Sequence, residues 1–336
     1  MTPDTNPSIE AGCTAALALS RYVQRALVAE LGAQADDVAK RARLCELAGE
    51  AWTRERIEAT LDALLGRLGA DPGAENFTEQ LAVALRRVRR QVLLAVIARD
   101  LGGAAPLAEV VGTMTALAEV AVQRAVAAHA RALARAHGVP TSRDGVPQDL
   151  LVVAMGKGGG GELNVSSDLD LIFVYDEDGE TRPGGEFAEA RRPLTNHEFF
   201  ERLGRRLIAA LSDATADGFV FRVDMRLRPN GDAGPLAVSN AMLEEYLVRQ
   251  GREWERFAWL KGRVISAPVF ADAAAFDAQC RALDQLVRPF VFRKYLDFNA
   301  IASLRELHAL IRAETERKRA ARVSAQDNVK LGRGGI

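Results

Sequence analysis

The stretch Met155-Gly156-Lys157-Gly158-Gly159-Gly160-Gly161-Glu162-Leu163-Asn164-Val165-Ser166-Ser167-Asp168-Leu169-Asp170-Leu171-Ile172-Phe173 decides how this chain is read. Ahead of it, Asp149 to Met155 predicts a short buried strand, and Asp168 to Tyr175 predicts a second. Alternate side chains of a strand share a face, so Asp168 and Asp170 point the same way, about 6.6 Å apart along the chain. Two carboxylates aimed at one spot repel unless a cation joins them or one takes a proton. With only oxygen ligands at hand, Mg²⁺ or Mn²⁺ is the expected ion. The glycines supply the other half. Lacking Cβ atoms, they let the backbone approach a ligand and turn N–H groups toward phosphate oxygens.

A third carboxylate follows at Asp224. Phe219 to Leu227 reads as a third strand, with Arg222, Asp224, Arg226 and Arg228 on one face and Phe221, Val223 and Met225 on the other. An acid set among arginines suits a metal site whose neighbours neutralise phosphate.

Outward from this segment the texture changes. Residues 7 to about 137 predict helices. Asn76-Phe77-Thr78-Glu79 has the form of a capping box, Gly102-Gly103 a stop, and Pro106 the start of a helix running to Gly138. Arg86, Arg87, Arg89 and Arg90 form a basic cluster, read as a solvated face or a dock for an acidic partner. Residues 177–193 predict a mobile loop, and Thr195-Asn196-His197-Glu198 a second capping box. From Asn240 the chain is again mostly helical, with a polar helix over 300–322. His197 is expected to be structural, Trp254 and Trp259 to pack in the core, and Glu253 and Glu255 to pair with arginines.

Composition sets the bounds. The 336 residues carry 44 Lys+Arg against 45 Asp+Glu, so a general nucleic-acid binder is not expected. Three scattered cysteines, Cys13, Cys45 and Cys280, give no disulfide framework or zinc pattern. The N-terminus lacks the form of a signal peptide, and no apolar run approaches the roughly 20 residues of a membrane span. A cytoplasmic protein with no membrane or nucleic-acid partner is therefore expected.

The central pattern resembles the polymerase-β-type nucleotidyltransferases, and within them the glutamine synthetase adenylyltransferase/adenylyl-removing enzymes. The resemblance runs on through Phe219–Pro229 and Gly231-Asp232-Ala233-Gly234-Pro235-Leu236, then Gln250–Phe257, Lys261-Gly262-Arg263 and Lys330–Ile336. It is strong over 150–336 and weaker over the helical N-terminus. It implies an α+β, predominantly helical fold, with a small mixed-sheet nucleotidyltransferase palm flanked by N- and C-terminal helices. The expected divisions are 1–139 helical, 140–275 palm, and 276–336 a C-terminal helical segment. The family pattern continues past Ile336 into a second, adenylylating half, so the chain is read as the adenylyl-removing half of a two-headed enzyme. By resemblance its substrate is glutamine synthetase carrying AMP on tyrosine, its other partners are the PII signalling protein, phosphate, ADP and ATP, and phosphate attack releases ADP. Asp168, Asp170 and Asp224 are the implied catalytic and metal residues, holding two Mg²⁺ ions, with Mn²⁺ as a substitute. Gly156, Lys157, Gly160, Gly161, Ser167, Arg226, Arg228, Lys261 and Arg263 are the implied nucleotide and phosphate contacts. Gly158 departs from the family's usual Leu. The alternatives are a binding module for PII or glutamine synthetase that does not turn over, and a PII uridylyltransferase. The latter continues into a His-Asp domain, and no His-Asp pair occurs here.

Overall fold

The computed structural model describes residues 7–292 together with residues 302, 305, 306, 309, 310, 312, 313 and 317. Six helices come first: α1 (Pro7–Leu19), α2 (Arg21–Leu31), α3 (Asp37–Ala48), α4 (Arg54–Arg67), α5 (Phe77–Leu101) and α6 (Leu107–His137). Ser20, Asp36 and Thr53 cap α2, α3 and α4 by accepting the N–H groups of Val23, Ala39 and Arg56. Leu81, Leu85, Val88, Val92 and Val96 bury one face of α5 at helical spacing. Pro106 and Gly138 bound α6 as expected, Gly138 with φ of 85°. The box at Asn76 does not form. Asn76 has ψ of 5° and sits in a turn that bonds Phe77 N–H to the Ala74 carbonyl, so its side chain cannot reach back over the first turn. In length and composition α6 could cross a bilayer, yet 61% of its most apolar window is buried inside the protein, and it packs against α4, α5 and α8 (Asn196–Ser212).

Then come β1 (Val139–Pro140), β2 (Leu151–Ala154), the one-turn helix α7 (Gly156–Gly159), β3 (Leu169–Tyr175) and β4 (Thr181–Arg182). After α8 follow β5 (Val223–Asp224), β6 (Ala237–Ser239), α9 (Asn240–Arg249), α10 (Glu253–Trp259), β7 (Arg263–Val264) and α11 (Ala273–Val291). The main sheet is mixed. β2 lies antiparallel between β3 and β7, while β5 and β6 both run parallel to β3. The architecture is thus α+β and predominantly helical, with a small mixed sheet.

Both faces of the sheet are buried. Val152, Ala154, Leu169, Leu171, Phe173 and Tyr175 join the core of α1–α6 and α8. Leu151, Val153, Ile172 and Val174 join a second core with α9, α10 and α11. The helical region and the palm therefore share a core across residue 139, and α11 spans the expected division at 275/276. Asp149 locks the start of β2: its buried carboxylate accepts N–H groups from Val269, Phe270 and Ala271 at 3.0–3.1 Å. Burial pushes its carboxyl up, against the opposing pull of those donors.

Several local expectations change. The third strand shrinks to Val223–Asp224, because Asp224 Oδ1 accepts the Arg226 N–H at 2.9 Å and turns the chain away. Residues 177–193 hold β4 and a 3₁₀ turn, Gly185–Phe187, whose Phe187 ring packs edge-on against Phe270. Arg86 and Arg90 are buried rather than solvated. The second capping box forms at Thr195 and Glu198. Trp259 is buried but Trp254 is 39% exposed. Glu253 pairs with Arg256, whereas Glu255 accepts the Tyr246 hydroxyl and the Arg252 N–H. His197 lies within 3.4 Å of the Tyr175 hydroxyl. Most of the helix expected over 300–322 lies outside the described residues, and those described there are helical and exposed.

Candidate active site

The parallel pairing of β3 with β5 sets Leu169 opposite Val223 and Asp170 opposite Asp224. Neighbouring strands lie about 4.8 Å apart, so the two carboxylates stem from adjacent backbone points. Asp168 precedes β3 by one residue, and the Leu169 N–H donating to the Arg222 carbonyl at 2.9 Å extends the pairing to its level. The three acids therefore occupy one end of one strand pair. On the inner side, Leu169, Leu171 and Phe173 are fully buried and fix β3.

The glycine run is brought to the same place. Met155 N–H donates to the Asp170 carbonyl at 2.8 Å, and Gly156, at φ of 53°, turns its Cα toward Asp170. A Cβ there would lie 3.4 Å from Asp170 Oδ2, in a backbone conformation that L side chains rarely adopt. The run coils into α7, closed by Gly159 and Gly160 N–H groups on the Met155 and Gly156 carbonyls. Gly159 packs directly on the following β7 segment: a Cβ would lie 1.8 Å from the Lys261 carbonyl oxygen. Gly160 is exposed, and Gly161 turns at φ of 72°.

The cationic candidates divide. Lys157 is half-buried at the start of α7. Lys261 Nζ pairs with Glu162 at 2.7 Å. Arg263 donates Nε to the Gly159 carbonyl at 3.0 Å and Nη2 to Glu119 at 2.6 Å, so it faces the underside of the glycine turn. Arg228 bonds the Met225 carbonyl and Asp232. Arg226 grips Asp224 with Nε at 2.8 Å and Nη2 at 2.5 Å, and Arg222 Nε meets Asp168 at 2.5 Å. The Arg226 guanidinium holds Asp224 below the usual carboxylate range. The Ser167 hydroxyl is tied into a local turn by Asn164 Oδ1 at 3.0 Å.

Among the described residues, no three Asp, Glu, His or Cys side chains converge closely enough to hold a metal ion. The donor set nonetheless suits a hard divalent cation: three carboxylates at one sheet edge, with two of them already drawing a positive partner. A metal ion there would stand in for the guanidinium groups. The acids lie on an open face. Cavities of about 400 and 550 Å³ elsewhere are lined by other residues, the first by Val153, Trp259 and Leu283, the second by His129 and Arg206.

The sequence reading missed Glu119 and Gln123 of α6, which reach the β7 segment, and Arg54 of α4, which bonds both of them. Their partners lie 65 to 144 residues away in the chain, and no local pattern marks them.

Comparison with known proteins places the chain. A family model described as "Glutamate-ammonia ligase adenylyltransferase" matches residues 14–278. A "Bifunctional glutamine synthetase adenylyltransferase/adenylyl-removing enzyme" of Burkholderia mallei is 51% identical over 320 residues, covering 95% of this chain and 32% of the relative. Proteins of the same description from Ralstonia nicotianae and Nitrosomonas europaea are 50% and 54% identical, over 94% and 75% of this chain and 32% and 25% of theirs. The chain spans about a third of the length of these relatives. It belongs to the glutamate-ammonia ligase adenylyltransferase family.

Proposed function

We propose that this chain carries a nucleotidyl-transfer site that removes AMP from adenylylated glutamine synthetase. Inorganic phosphate is the nucleophile in this reading. One of its oxygens bonds to the α-phosphorus, the bond from phosphorus to the tyrosine oxygen breaks, and the tyrosine oxygen takes a proton. The products are ADP and unmodified tyrosine. The observation that carries the reading is the register of Asp170 on Asp224 beside Gly156.

The chemistry asks little of an acid catalyst, since a phenol with pKa about 10 leaves readily. The demands are alignment and relief of negative charge on the phosphoryl oxygens. Asp168, Asp170 and Asp224 would hold Mg²⁺ or Mn²⁺, whose charge supplies part of that relief when bound. Arg222 and Arg226, displaced from the acids, stand close enough to take phosphoryl oxygens instead. Lys157, beside Gly156, would supply charge from the other side; the Gly160 and Gly161 N–H groups are spent on the Gly156 and Gly158 carbonyls, and buried β2 and β3 hold both halves in place. A second reading is favoured by the ion pairs themselves: with Asp168 and Asp224 both occupied by arginine, the chain would act as a binding module for glutamine synthetase or PII without turnover.

The two separate in one assay. Incubated with adenylylated glutamine synthetase, Mg²⁺ and phosphate, the chain should form ADP in proportion to phosphate. Asp170→Asn should lower that rate by about 10³-fold. ADP formation indifferent to the substitution would remove the carboxylate site from the mechanism. Transfer of AMP from ATP onto the synthetase, without removal, would reverse the proposed direction.

A further inference from the structure

Glu119 lies midway along α6, its side chain only 17% exposed, and it holds two arginines at once. One is Arg54 of α4; the other is Arg263 of β7, whose Nη2 stands 2.6 Å away. One turn further along the same face of α6, Gln123 accepts from Arg54 at 3.2 Å and donates to the Ile265 carbonyl at 2.8 Å. The helical region thus grips β7 and its continuation at two points. Arg263 carries the grip onward, with Nε on the Gly159 carbonyl at 3.0 Å and Nη2 near that of Gly158 at 3.3 Å.

That terminus matters because of what α7 is made of. Three of its four residues are glycine, which offers no side chain to hold a conformation and loses the most freedom when ordered. Its shape has to be imposed from outside. A cation at its C-terminal carbonyls is the favoured form of such a restraint. A planar guanidinium bonded to two carbonyls and a carboxylate also fixes direction, which an ammonium group does not.

We propose that Glu119 and Arg54 are positioning residues: through Arg263 they set the glycine turn against Asp170 and tie its placement to the helical region. The kinetic part of this inference rests on the proposed transfer reaction; the structural part does not. Glu119→Gln keeps the shape and removes the charge. In the full chain it should speed hydrogen exchange of the amides over 158–162 about tenfold. It should lower kcat for ADP formation about tenfold while leaving KM for adenylylated synthetase within about twofold. Arg263→Lys should do the same, and the double variant should be no worse than the poorer single one. Glu119→Asp should recover part of the loss. Unchanged exchange over 158–162 in Glu119→Gln, or losses that multiply in the double variant, would overturn the proposal. Should Glu119→Gln not fold, Arg263→Lys, on a half-exposed side chain at the sheet edge, carries the exchange measurement with the same two outcomes. If the parent chain forms no ADP, the transfer reading fails by itself, and exchange alone still decides whether the restraint exists.

Discussion

Arg86 and Arg90 on α5 and Arg222 and Arg226 around β5 put one residue type in two settings, linked at Phe219, whose ring lies 4.5 Å from the Arg89 guanidinium and 5.9 Å from that of Arg222. On α5, Arg86 is 3% exposed and donates to the Asp213 and Gly218 carbonyls at 2.7 and 2.9 Å. Arg90 takes the Asp217 carboxylate at 2.7 Å. Around β5, Arg222 and Arg226 are 55% and 78% exposed and pair with acids of the candidate site. The buried arginines cannot leave without stranding backbone carbonyls out of water. The exposed ones exchange one charged partner for another at small cost, because both states are solvated. The same residue type therefore serves as a fastener on one side and as a replaceable charge on the other.

The sharpest way to break this contrast is Arg86→Ala. It should cost about 3–4 kcal/mol of unfolding free energy in denaturant titration, through the lost bonds and the carbonyls left behind. A loss below about 1 kcal/mol would place Arg86 with the surface set.

The next test lies in the helical region. His129 is half-buried, and desolvation, with Arg206 nearby, pushes its imidazole down to about 4 from its ordinary 6.5. Between those values the unfolded chain binds a proton that the folded chain refuses, so stability should fall as pH drops from about 6.5 to about 4. The full effect is about 2–3 kcal/mol, and it flattens below that window. His129→Asn should remove this slope in stability curves taken across the window. A slope unchanged by the substitution would assign it elsewhere.

The smallest stability effect belongs to the exposed set. Arg226→Gln should leave the thermal midpoint within about 2 °C of the parent. Because it frees Asp224, it should also lower the Mg²⁺ concentration needed for half-maximal ADP formation by roughly two- to tenfold, with a lower maximal rate. A midpoint that falls as far as that of Arg86→Ala would erase the distinction.

How much of this could be read in advance follows the range of the interactions. The Thr195 cap, the Gly138 stop and the alternation that buries Leu169, Leu171 and Phe173 are decided within a few residues, and all were legible. So was the approach of the glycine run to the Ser-Asp-x-Asp strand, since a hairpin-like return of β2 onto β3 leaves little choice. Asn76 misled because a capping pattern does not reveal that its residue is already committed to a turn. The arginine cluster misled because a helical wheel shows which residues share a face but not what covers it. Here the cover is the 213–218 loop, more than 120 residues away. Glu119 was invisible for the same reason.

The glycine run has a consequence for which changes the chain can absorb. Four successive letters look interchangeable, yet their surroundings differ. Gly159 is closed to every other residue by the Lys261 carbonyl. At Gly158 a Cβ would rest 3.4 Å from Ala154 and 3.9 Å from Leu163 and Leu169, at ordinary contact distance against apolar neighbours. A methyl group would fit there without displacing a neighbour. Of these two neighbours, one can therefore gain a methyl group while the other is barred from gaining any.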